Sequence, residues 1–113
     1  MDEIIKKYLY DIKISIESIE SYIGFEKTFT VYQSNKMMRR SVERELEIIA
    51  EAINKIDKFD PLIVIGGKRQ IIGFRNRIVH NYDNIDDTIV WGIIIKYLPI
   101  LKNEVTSLLS DNE

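Results

Sequence analysis

Apolar residues return along this chain at three- and four-residue steps. Ile5, Leu9, Ile12, Ile16, Ile19 and Ile23 fall on one helical face, which predicts a helix over 2–23 with Gly24 as its stop. Phe25 to Gln33 mixes β-branched and aromatic residues, and it reads as either a short helix or an ordered loop. Ser34 then offers an N-cap to a second long helix with Met38, Val42, Leu46, Ile49, Ile53 and Ile56 on its apolar stripe. Asp60-Pro61 ends it, since a residue before proline is pushed out of the α region.

Beyond the Gly66-Gly67 joint, Ile71, Phe74, Ile78 and Tyr82, with Ile72 and Val79 beside them, predict a third helix over Lys68 to His80. Asn81 to Asp86 is turn-like. Asp86 or Asp87 caps a fourth helix striped by Val90, Ile94, Tyr97, Leu101, Val105 and Leu108. Pro99 should kink it, and Ser110 to Glu113 should fray. The run Leu62-Ile63-Val64-Ile65 suits a strand, but a lone strand has nothing to pair with, so it is taken as a buried connection. The expected fold is all-α: a four- to five-helix bundle in one domain, residues 1–113.

Composition narrows the setting. The chain has no cysteine, which excludes disulfides and thiolate metal sites and points to a reducing, cytoplasmic compartment. Charge interrupts the first apolar residues too early for a signal peptide, and no apolar run reaches the ~20 residues of a membrane span.

Charge also locates the chemistry. The chain carries 18 acidic and 16 basic residues, yet Pro61 to Tyr82 contains no Asp or Glu. That cationic window holds the single histidine, His80, within Gly73-Phe74-Arg75-Asn76-Arg77-Ile78-Val79-His80-Asn81-Tyr82. On a helix Asn76 and His80 share a face, and the long Arg75 side chain can swing toward the same end. Histidine as proton acceptor, arginine as a fixed cation and asparagine as an orienting amide are the parts for metal-free RNA cleavage. A base takes the ribose 2′-hydroxyl proton, the oxygen attacks phosphorus, and the cation steadies the phosphoryl charge. By spacing alone the motif is weak, because a lone histidine near a helix end is more often structural. The basic opening of the second helix, Lys36, Arg39, Arg40 and Arg44, opposes the helix dipole; it serves either a ligand or a solvated surface. A metal site lacks ligands in this window, and Gly66-Gly67-Lys68 lacks the upstream glycine and following Ser/Thr of a phosphate loop.

Arg75-Asn76, three spacers, His80, one spacer and Tyr82 resemble the signature of the HEPN superfamily, in its HepT-like toxin branch. Ser41-Val42-Glu43-Arg44, Ile72-Gly73-Phe74 and Ile89-Val90-Trp91 with Leu98-Pro99 extend the likeness over nearly the whole chain. The resemblance implies a homodimer in which two motif helices meet at a shared cleft. It implies a metal-independent endoribonuclease without cofactor, acting as the toxin beside an MNT-type nucleotidyltransferase antitoxin that adds AMP to the motif tyrosine. Carried over, Arg75, His80 and Asn76 are the catalytic set and Tyr82 the AMPylation target. Arg77, Lys68, Arg69, Arg40 and Arg44 are the expected RNA-binding cations. Arg77 and Asn81 depart from the family's usual apolar or small and acidic residues, making the window more basic. Two other readings stand beside the nuclease: a non-catalytic nucleotide-binding subunit of a nucleotidyltransferase complex, and a plain helical dimerisation module.

Overall fold

The computed structural model describes residues 1–81 and 86–111, with side chains for 1–76 and 86–111. Every regular element among them is helical. They are α1 (Glu3–Ile23), α2 (Phe29–Ser34), α3 (Lys36–Phe59), α4 (Lys68–Asn81), α5 (Asp87–Gly92), a π-helical turn (Ile93–Tyr97) and α6 (Leu98–Asp111). The last three run on as one rod, so the described residues form five helical bodies, within the four- to five-helix bundle expected.

Caps explain the boundaries. Asp2 accepts the Ile4 amide at 2.8 Å, Asn35 the Met38 amide at 3.0 Å, and Asp86 the Thr88 amide at 2.9 Å. Ser34 is therefore not the cap of the second long helix. It closes α2 instead, its hydroxyl donating to the Thr30 carbonyl, and the single residue Asn35 separates α2 from α3. Gly24 ends α1 at φ 77°, a conformation that suits glycine.

The core is an α1–α3 pair. Ile5, Leu9, Ile12, Ile16 and Ile19 interlock with Val42, Leu46, Ile49, Ile53 and Ile56, all buried. The two helices run antiparallel, and Tyr22 at the end of α1 donates to Glu45 of α3 at 3.2 Å. Helix α4 packs on α3 through Ile71 and Phe74, and α6 packs on α1, with Lys102 bonded to Glu20 at 2.9 Å. Trp91 lies half-buried against Phe29 and Tyr32, with ring centroids 5.8 and 5.4 Å away, so it belongs to the packing of α2 against α5.

Three sequence expectations change. The segment 62–65 is not a buried connection: Leu62 and Val64 are 89% and 84% exposed, while Ile65 is buried. Its tether is elsewhere, in the Gly66 amide that donates to Glu104 of α6 at 2.7 Å. Near Pro99 the helix widens into the π turn, and the Leu98 amide reaches back to the Ile93 carbonyl. The wider turn falls where the proline ring would crowd the carbonyl four residues back. The buried row of this rod passes through Leu98 and Leu109, leaving Tyr97 and Leu108 half-buried. Ser110 and Asp111 are helical, whereas Asn112 and Glu113 lie outside the described residues. No helix among the described residues is long and apolar enough to cross a membrane.

Candidate functional site

One ion pair ties the start of helix α4 to α3, and a second ties α3 to α5. At the start of α4 Lys68 pairs with Asp57 near the end of α3, at 2.5 Å. Arg39 near the start of α3 reaches Asp87 at the start of α5, the next helix in sequence after α4, with Nε 3.9 Å from Oδ1. The helices are thus antiparallel, and the end of α4 that carries His80 shares one end of the bundle with the basic opening of α3. Arg75 and Asn76 lie on the described part of α4, Arg75 half-buried and Asn76 exposed. His80 and Arg77 lie on the same helix by backbone, whereas Tyr82 lies outside the described residues.

The candidate cations divide by partner. Arg40 bonds Glu43 at 3.1 Å, Arg44 comes within 4.0 Å of Glu47, and Lys68 is paired with Asp57. Among the described residues, Arg69 and Arg75 form no such pair. The carboxylate-free window of the sequence therefore persists in space along this part of α4, and its cations stay available to an anion. Arg40, Arg44 and Lys68 would first have to exchange a carboxylate for a phosphate.

Sequence reading did not single out the polar group beneath the basic end of α3. Tyr32 is fully buried, and its hydroxyl has no hydrogen-bond partner among the described residues. Burial pushes this phenol far up, helped by the Glu43 and Asp87 carboxylates and opposed by Arg39. Glu43 is buried as well; burial raises its carboxyl above the ordinary value, against the hydrogen bond and charge of Arg40. The Arg39 guanidinium also donates to the Gln33 carbonyl, so one side chain ties α2, α3 and α5 together. The signal available in the sequence was Glu43 standing beside Val42 on the buried side of the stripe.

Two clefts flank the first half of α4. One, of about 320 Å³, separates it from α5 and the π turn; its lining includes Arg69, Gly73, Phe74, Gly92, Lys96 and Tyr97. The other, of about 620 Å³ and more open, runs along the opposite flank and reaches Asn76. Arg69 and Gly73 border both, so this half of the helix stands as a cationic ridge.

Comparison with known proteins falls on the same helices. A family model described as Ribonuclease HepT-like matches residues 67–108, from the start of α4 into α6. A Methanocaldococcus jannaschii protein named "Putative RNase MJ1380" is 36% identical over 89% of this chain and 93% of its own length. A second from that organism, "Putative RNase MJ1216", is 31% identical over 96% of this chain and 90% of its own length. A Thermococcus cleftensis protein named "Probable ribonuclease HepT" is 32% identical over 91% of this chain and 94% of its own length. No solved structure matches the chain.

Proposed function

This chain belongs to the HepT-like ribonuclease family, and we propose that it is a metal-independent endoribonuclease whose catalytic residues are Arg75, Asn76 and His80. The observation that carries the reading is the cationic, carboxylate-free stretch of α4, in which Arg75 has no ion-pair partner among the described residues. His80 takes the proton of a ribose 2′-hydroxyl. The freed oxygen bonds to the adjacent phosphorus, and the bond from phosphorus to the departing 5′-oxygen breaks. That oxygen leaves with a proton from an imidazolium, the role of His80 in a second copy. Arg75 offers charge-assisted hydrogen bonds to the phosphoryl oxygens as negative charge builds on them. Asn76, four residues before His80 on one face, orients the acceptor. Imidazole, with a reference pKa of about 6.5, is the side chain best suited to proton transfer near neutral pH.

The chain acts in this reading as the toxin of a toxin–antitoxin pair and as a homodimer joined through α4. Its antitoxin is an MNT-type nucleotidyltransferase that transfers AMP to Tyr82. A phosphodiester two residues from His80 brings negative charge to the site and competes with RNA for Arg75 and Arg77. Inhibition is then by occlusion.

The test is cleavage of tRNA and mRNA by purified protein in excess chelator, beside His80→Ala and Arg75→Ala. Loss of a positioned acid–base group lowers the rate about 10²–10⁴-fold. Wild-type rates in His80→Ala would overturn the assignment. Growth of a host lacking the antitoxin, equal with wild type and His80→Ala, would favour a non-catalytic nucleotide-binding subunit. Equal RNA affinity with and without AMP on Tyr82 would remove the occlusion mechanism.

A further inference from the structure

The cleft between α4 and the π turn has a feature the fold does not need. Gly73 and Gly92 both lie inside helices, where glycine is less stable than alanine. A Cβ built at either position meets nothing within 4 Å, so no close packing requires a bare backbone there. Both glycines line the same cleft, one from each wall, and their missing side chains keep it open. The half-buried Tyr97 ring lies on its wall, with the Lys96 ammonium 5.8 Å from the ring centroid. Arg69 and Lys96 are exposed at its rim, and no Asp or Glu is among its described lining residues.

Helical register links this cleft to the catalytic residues. Gly73 and His80 are seven residues apart on α4, on one stripe and about two turns, roughly 10 Å, along the axis. A strand held at His80 can therefore continue along α4 to the cleft.

We propose that this cleft is a nucleotide subsite for the RNA strand next to the cleaved position. The base lies against Tyr97 over the space left by Gly73 and Gly92, and a phosphate lies between Arg69 and Lys96. The occupant is a single-stranded nucleotide because the cleft combines an aromatic wall with cations and lacks carboxylates, the pairing that single strands exploit. Two copies pressed together through this rim would instead bring like charges together. The proposal rests on the RNA-binding reading above, but not on catalysis.

The experiment titrates fluorescent single-stranded RNA oligonucleotides into the full chain, in chelator, with Gly92→Leu and Lys96→Glu. A Cβ at Gly92 meets nothing within 4 Å, so leucine adds bulk from a position lining the cleft, and glutamate reverses a charge on an exposed side chain. Each variant is expected to weaken binding about tenfold, in line with the loss of one stacked base or phosphate contact. The sedimentation mass is expected to stay unchanged. Wild-type affinity in both variants would overturn the subsite. Loss of self-association in Gly92→Leu would assign the cleft to a second copy and overturn it too. Should Gly92→Leu fail to fold, Lys96→Glu decides alone. Groove-dependent binding without cleavage would support the subsite and remove the nuclease reading; cleavage with unaltered binding in both variants would do the reverse.

Discussion

The α1–α3 pair and the outer side of α4 are both helical, yet they solve opposite problems. Between α1 and α3 almost every facing position is a branched aliphatic with no exposed surface, and the two helices lock along their length. Along the outer side of α4 stand Arg69, Gly73 and Asn76, with clefts on both flanks. The first region gains its stability from apolar burial, roughly 25 cal/mol per Å² removed from water. The second gives up side-chain volume and tolerates unpaired cations. The difference teaches that α4 is held from beneath, by Ile71 and Phe74, and at its start, by Lys68–Asp57. The first half of its outer surface is left open beside the two clefts.

The largest test of this contrast is a cavity in the pair. Leu46 and Ile53 are fully buried, so Leu46→Ala or Ile53→Ala should each cost about 2–5 kcal/mol of unfolding free energy. Urea titration followed by circular dichroism measures it. A cost below about 1 kcal/mol would mean that α1 and α3 are not the scaffold described.

This same contrast explains what could be read without coordinates. The α1 and α3 stripes are regular because burial on one side of an α-helix imposes its period on the sequence, and nearly every residue named from that period is buried. Where the helix departs from 3.6 residues per turn the period misleads, and at the π turn before Pro99 Leu98 takes the buried place expected of Tyr97. Leu62 and Val64 misled for a different reason: hydrophobic character does not by itself bury a residue in a short connection. In the candidate site, the carboxylate-free window was visible as composition. The division of its cations into paired and unpaired was not, since Arg40–Glu43 is a local pair but Lys68–Asp57 joins different helices. Nor could any sequence pattern show that Gly73 and Gly92 face one cleft.

Glycine substitutions sharpen the comparison with smaller effects and opposite signs. Gly73→Ala and Gly92→Ala should stabilise by about 0.5–1 kcal/mol each, because both sites are helical and open. Gly24 also has open space around it, but its φ of 77° strains any other residue, so Gly24→Ala should destabilise. Gly66 differs again: a Cβ there would come 2.5 Å from Glu104 Oε1 and disturb the bond that tethers the entry to α4. If Gly73→Ala and Gly92→Ala destabilise, the clefts are tighter than described and the outer side of α4 is packed rather than open.

The smallest effect is electrostatic and lies between the two regions, at Glu43. Its folded-state pKa is raised, chiefly by burial, so the folded protein holds this proton more tightly than the unfolded chain. Stability linked to Glu43 is therefore highest at acid pH and falls as pH climbs from the ordinary glutamate value, 4.5, through the raised one. Glu43→Gln keeps the shape and removes the ionisation, so its advantage over wild type should be absent below pH 4.5, grow with rising pH and level off once pH passes the raised value. Urea midpoints of both proteins across pH 4 to 8 measure the difference. The opposite slope, with wild type gaining on the variant as pH rises, would mean that attraction to Arg40 and Arg39 outweighs burial. The basic end of α3 would then be a closed salt-bridge network, and Arg40 would not be free to turn toward RNA.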